Sequence, residues 1–248
     1  MYDWPEVAWA TDALWRAIAE RLNHAGIAAP AALDRLRQAE AIWRDPGLVL
    51  SQVCGFPVAA SLRGAVQLIA TPIYGVEGCR GPCYSSFIVA RRDDRGRALA
   101  DFAGLRFAFN VPDSLSGSVA LVAAMREEGL APGSVEWIET GGHRASILAV
   151  AEGRADLAAI DAVAWALAER FEPEPAAKLQ MLMQTPLRPA PPTITGAGRS
   201  TEELEAIRAA FTDALASEET GEARGALRIE GAAVLTASDY EPLAALVR

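Results

Sequence analysis

The chain has 248 residues, 51% of them hydrophobic, enough to bury a substantial core as one large domain or two small ones. Its net charge of −9, with Lys178 as the sole lysine, is the wrong sign for a phosphate-backbone binder and argues against nucleic acid as a partner. No apolar run approaches the roughly 20 residues of a membrane-spanning helix, so membrane insertion is not expected.

The opening, MYDWPEVAWATDALWRAI, lacks the basic region, apolar region and small-residue cleavage site of a secretory signal. That predicts a cytoplasmic protein as the sequence stands, and a periplasmic one if the N-terminus is truncated. Val7, Leu14, Ile18 and Leu22 recur at helical spacing, and DWPE offers Asp3 as N-cap with Pro5 in the first turn, so a helix is expected from about residue 4. HAGIAAPAAL breaks it, RLRQAEAIWRDPG is a second short helical piece, LVLSQVCGFPV reads as a buried strand with its loop, and GAVQLIATPIY reads as another strand. The middle then alternates regularly. YSSFIVARR, RFAFN, VEWIET and ADLAAID are expected as strands, separated by the helices ALADFAGL, SGSVALVAAMREEGL and HRASILAVAEGR and followed by AVAWALAERF. Such alternation with short turns predicts a parallel sheet with helices on its faces. LQMLMQTPLRPAPPTIT follows as a strand running into a Pro-rich extended crossing, and TEELEAIRAAFTDALAS is a helix with Thr201 as expected cap.

Cys54, Cys79 and Cys83 are an odd set, too few for a disulfide scaffold, so at least one thiol is free or pairs between chains. A bridge from Cys54 to either of the others stays open. The C-x3-C pair has no second Cys/His pair at zinc spacing, so no metal site is expected. Neither a phosphate-binding P-loop nor a G-x-G-x-x-G between strand and helix occurs, and H-E-x-x-H is missing too, so no cofactor is implied.

In a parallel sheet the strand carboxyl ends open on one side, where ligands collect. Three strand-to-helix turns therefore face one place: VPDSLSG, TGGHRAS and DAVAW. The first puts Ser114, Ser116, Gly117 and Ser118 at a helix N-terminus, where N–H groups and hydroxyls can donate to one oxyanion even in an acidic protein. Taken alone, the same serines read better as one N-cap with solvated neighbours. A nucleophile is disfavoured, because the G-x-S-x-G elbow is absent and His143 has no assigned orienting acid. His143, after two glycines, is either a donor to an anion or a cap of its own helix. Asp161 is either an acceptor for a protonated oxygen or an amine, or the cap of the next helix. Three polar turns at one edge favour a small-ligand site.

YSSFIVARRDDRGRALADFAGLRFAFNVPDSLSGSVAL, followed by GGHRASILAVAEGRADLAAIDAVAWAL, resembles the PhnD-like family of phosphate, phosphite and phosphonate substrate-binding proteins of ABC transporters. The likeness is strongest over residues 70–195. It implies an α/β, two-lobed type II periplasmic-binding-protein fold, each lobe a mainly parallel sheet flanked by helices, with two crossing strands as hinge, near Ser86–Arg91 and residues 185–193. Lobe one would be residues 1–88 and 190–248, and lobe two residues 89–189. The implied ligand is a small oxyanion held between the lobes by Ser114, Ser116, Gly117, Ser118, His143 and Asp161, faced by Tyr2 and Tyr74. The resemblance implies an ABC permease as partner and a binding rather than an enzymatic role. Alternatives on the same fold are a cytosolic enzyme and a ligand sensor acting on a protein partner.

Overall fold

In the computed structural model, which describes residues 2–94 and 98–246, the chain divides into two units. The first comprises the chain up to Gly75, Arg80–Pro82 and Pro189–Glu241. The second comprises Val76–Cys79, Cys83–Arg188 and the residues from Pro242 onward.

The first unit is built on a four-stranded sheet in the order Ser51–Gln52, Thr193–Gly196, Val66–Tyr74, Ile229–Ala233. Every pairing in it is antiparallel, which corrects the expectation of a mainly parallel sheet in each lobe. The reason is connectivity. Strands of the N-terminal stretch alternate with strands of the C-terminal stretch running the opposite way, and no strand-helix-strand crossover joins neighbours here. Helices Ala8–His24 and Thr201–Ala216 pack together and the second packs against this sheet; between them they bury Leu14, Ile18, Leu22, Ile207, Phe211 and Leu215.

Local details of this unit differ from the sequence expectation for identifiable reasons. Asp3 caps no helix. Its carboxylate accepts from Thr11 Oγ1 and Arg35 Nε, both at 2.5 Å, and Pro5–Val7 forms a 3-10 turn ahead of the α-helix. Ser200, not Thr201, caps the long C-terminal helix, accepting from Glu203 N at 3.2 Å while the Glu203 carboxylate accepts from Ser200 N, a reciprocal box that fixes both ends of the turn. LVLSQVCGFPV yields only a two-residue strand, and Gly55–Ala59 turns helical. That strand is the edge of its sheet, and beside it lies a cavity of about 430 Å³ bordered by Trp15, Ile42, Val49 and Phe211, so Leu48–Leu50 finds no second strand to pair with.

The second unit has a five-stranded sheet in the order Glu136–Glu139, Arg106–Phe109, Leu157–Asp161, Ser86–Arg91, Leu179–Gln184. Arg106–Phe109 runs parallel to both of its neighbours, as expected from the alternating pattern. Ser86–Arg91 runs antiparallel to the strands on either side of it, so the sheet is mixed. A core of Ile88, Leu99, Phe102, Phe107, Leu121, Met125 and Leu157 fills one face. At the opposite end from the site, the Asp156 carboxylate accepts from Arg91 and Arg106 side chains at 2.9 Å and from Arg106 N at 3.0 Å, tying three strands' starts and ends together. None of the three cysteines is in a disulfide.

Candidate functional site

The three parallel strands of the second unit end at Phe109, Glu139 and Asp161, and the turns that follow carry the candidate side chains to one sheet edge. After Asn110 the chain makes a short turn to Ser114, whose extended backbone (φ −72°, ψ 121°) places its hydroxyl to accept from Gly117 N at 3.2 Å. The next turn is wider than an α-turn. Val119 N donates to Ser114 O at 3.0 Å, five residues back, so Leu115–Val119 is a π-helical turn leading into the α-helix Ala120–Glu127. Such single turns recur at functional sites because they swing successive side chains and carbonyls out of helical register.

The serines have different partners. Ser116 Oγ lies 2.9 Å from His143 Nε2, and its carbonyl accepts from Ser86 Oγ at 2.8 Å. Ser118 Oγ points back at its own loop, donating among the carbonyls of Pro112 (2.6 Å), Val111 (3.0 Å) and Ser114 (3.2 Å). Gly117 is the residue that makes the loop fit: a Cβ there would overlap Asn110 Oδ1. The vacancy is thus filled from within, by a side chain the sequence reading did not single out.

Gly141, at φ 83°, turns the second loop so that His143 begins the helix His143–Ala151. Its imidazole is buried, and burial holds its pKa below the ordinary histidine range, against the opposing pull of the Asp161 charge and the Ala159 carbonyl. The ring is therefore neutral at neutral pH. Asp161 begins the next helix, its Oδ1 accepting from Ala164 N at 2.7 Å, while its Oδ2 lies 3.3 Å from His143 Nε2. The cap reading and the site reading of Asp161 are compatible, because each uses a different oxygen.

Ser116, Asp161 and Asn110 all meet His143 at the same nitrogen, Nε2. A serine-histidine-acid relay needs the acid on one ring nitrogen and the serine on the other. This arrangement is not such a relay. What it does hold is unfilled acceptor capacity: Asp161 Oδ2 and Asn110 Oδ1 are both buried with no hydrogen-bond donor. A buried oxygen in that condition costs free energy that an incoming donor would recover. The small cavity beside Ser86, Ser116, Thr185 and Arg188 has a volume of about 30 Å³, room for roughly one water.

Cys79 belongs to this unit and lies within electrostatic reach of Asp161. Burial, then the Asp161 charge and Cys83, push its thiol up to about 12, so it is not a thiolate nucleophile. Among the described residues no cluster of three or more His, Cys, Asp or Glu side chains is arranged to hold a metal ion. Of the expected site residues, Ser114, Ser116, Gly117, Ser118, His143 and Asp161 come together in the second unit. Tyr2 and Tyr74 are in the first, ring against ring at 5.3 Å in an edge-to-face pair, with Tyr74 Oη accepting from Gln52 Nε2 at 2.8 Å. Asn110 and Ser86 were missed. The only available signal was that each is a polar residue at a strand terminus bordering the loop.

A family model described as "ABC transporter, phosphonate, periplasmic substrate-binding protein" matches residues 50–240. No curated protein matches the chain. Among solved structures, PhnD1 from Prochlorococcus marinus in complex with methylphosphonate is similar at TM-score 0.76 and 13% identity, over 96% of this chain and 92% of that one. A binding protein component of an ABC phosphonate transporter from Pseudomonas aeruginosa gives TM-score 0.75 and 18% identity, over 96% of this chain and 80% of that one. XAC2383 from Xanthomonas citri, bound to ATP, gives TM-score 0.75 and 18% identity, over 95% and 91%. At those identities the likeness establishes a shared periplasmic-binding-protein fold. No helix among the described residues is long and apolar enough to cross a membrane. With the family match spanning most of the sequence, the chain belongs to the phosphonate-type substrate-binding proteins of ABC transporters.

Proposed function

We propose that this protein binds a small phosphorus oxyanion of the phosphonate, phosphate or phosphite type and releases it chemically unchanged. It would serve as the solute-binding component of an ABC transporter, with a permease as partner, or as a related cytosolic binding protein. Ser114, Ser116, Gly117, His143 and Asp161 are the residues assigned to the ligand. The observation that carries the reading is the buried convergence of Ser116 Oγ and Asp161 Oδ2 on His143 Nε2, beside a serine-rich helix start, with acceptor oxygens left open and no relay geometry for catalysis.

Asp161 Oδ2 and Asn110 Oδ1 are acceptors, so the preferred anion is one that brings a proton. A monoprotonated phosphonate or phosphate does so at neutral pH, and sulfate does not. Calorimetric titration with methylphosphonate, phosphite, phosphate and sulfate tests this. Binding of at least one phosphorus oxyanion with no heat from sulfate is expected; no heat and no thermal shift across the panel overturns the reading. Phosphorus NMR of the recovered ligand should show the input compound alone, and a new resonance that grows with time would make the protein an enzyme. Asp161→Asn keeps a capping oxygen, so its unfolding midpoint should stay near wild type while ligand affinity falls by about tenfold or more.

A further inference from the structure

Asn110 stands at the carboxyl end of the strand Arg106–Phe109, ahead of every residue of the serine loop, and the reading above uses only its Oδ1, as an open acceptor. Its side chain nevertheless touches three elements of the site. Nδ2 donates to Ser114 Oγ at 2.8 Å and lies 3.3 Å from His143 Nε2. Oδ1 occupies the space that Gly117 leaves open. Asn110 therefore fits as it stands because residue 117 is a glycine.

The consequence for hydrogen-bond direction is specific. A serine hydroxyl has two lone pairs and one proton. The lone pairs of Ser114 Oγ are taken by Asn110 Nδ2 and by Gly117 N, so its proton is left to donate. Asn110 Nδ2, a donor 3.3 Å from His143 Nε2, favours the tautomer in which that nitrogen is unprotonated and accepts from Ser116 Oγ, against the opposite pull of Asp161 Oδ2, an acceptor 3.3 Å from the same nitrogen, and of a buried Nδ1 with no partner.

Resting on the oxyanion-binding reading, we propose that Asn110 is the positioning residue of the cradle: wedged into the Gly117 vacancy, it commits Ser114 as a hydroxyl donor to the anion and sets His143 as an acceptor at Nε2. An aspartate or leucine of similar volume would fill the slot and lose this function, because neither carries the Nδ2 donor.

Two readouts separate the failure of this proposal from the failure of the function it rests on. The first needs no ligand. Nitrogen-15 shifts of the imidazole, with His24→Gln removing the only other histidine, report the His143 tautomer in the wild type and in Asn110→Leu. The expected result is an unprotonated Nε2 in the wild type and a shift toward the Nε2–H form in the variant; identical shifts in the two proteins overturn the proposal. The second readout is affinity for whichever of methylphosphonate, phosphite or phosphate the wild type binds. Asn110→Leu should weaken it by about tenfold or more, the worth of one net hydrogen bond, and affinity within twofold of wild type overturns the proposal. Folding is controlled by the pair Gly117→Ala and Asn110→Ala/Gly117→Ala. The single variant should lower the unfolding midpoint, and the double variant should recover it without recovering affinity. A double variant that binds like wild type also overturns the proposal. Should the wild type bind none of the anions, the function fails, while the tautomer comparison still decides the positioning role.

Discussion

Ser114, Ser116 and Ser118 are separated by one residue each, yet their hydroxyls face a backbone N–H and an amide, an imidazole, and a set of carbonyls respectively. Sequence spacing treats the three as equivalent, because partner identity is fixed by the π-helical turn and by elements distant in the chain. Asn110 shows the same limit more sharply. Its role depends on the absence of a Cβ seven residues later, and a single asparagine at a strand end carries no sign of that. His143 stood out in the sequence as a candidate, and its burial adds a measurable consequence. Its folded-state pKa lies below the ordinary value, so below about pH 6.5 the unfolded chain takes up a proton that the folded chain refuses. Stability from this group is complete above the ordinary histidine pKa and declines as pH falls beneath it. Urea unfolding should give a lower free energy at pH 5.5 than at pH 7.5, and His143→Gln should flatten that slope by up to about 1.4 kcal/mol per pH unit. An unchanged slope in the variant would show that other groups carry it.

At the level of elements, the alternating strands and helices of residues 86–171 were readable because each has its own hydrophobic period and short turn. The direction of Ser86–Arg91 was not, since a strand's own sequence does not say which way its neighbour runs. The shortening of LVLSQVCGFPV to Ser51–Gln52 was hidden for a related reason: an apolar run becomes a long strand only where partners flank it, and here a cavity lies on one side. Asp156 illustrates how elements are held at the end away from the site. Burial raises its pKa, but hydrogen bonds from Arg106 and Arg91 outweigh that and bring it down to about 2. The carboxylate's contribution is present above its ordinary pKa near 4 and is lost as pH falls toward 2. Asp156→Asn should destabilise the protein by about 2 kcal/mol at neutral pH, the range for hydrogen bonds to charged groups. Equilibrium denaturation checks it, and a loss below a few tenths of a kcal/mol would mean that the arginines find other partners.

For the whole molecule, the sequence resembles the phosphonate-type binding-protein family, and the family match over residues 50–240 agrees with that. The strand directions of the first unit were not readable, because its sheet is assembled from segments more than a hundred residues apart. The cysteines are a molecule-wide question that the sequence left open, and none is bridged. With its thiol pushed up to about 12, Cys79 should react with a disulfide reagent at pH 8 far more slowly than an unhindered thiol, and rapid modification of all three cysteines in the folded protein would contradict its burial. Reducing agent should leave the unfolding midpoint where it is. The interleaved sheet of the first unit also bears on synthesis. Val66–Tyr74 lies between Thr193–Gly196 and Ile229–Ala233, and Ser51–Gln52 pairs only with Thr193–Gly196. During synthesis, Ser51–Gln52 and Val66–Tyr74 therefore meet none of their sheet partners until Thr193–Gly196 and Ile229–Ala233 emerge. The second unit, nearly continuous from Cys83 to Arg188, has its strands in hand much earlier. A nascent chain exposed only as far as about residue 190 would carry a nearly complete second unit behind an apolar strand with both edges bare, the arrangement most open to mispairing.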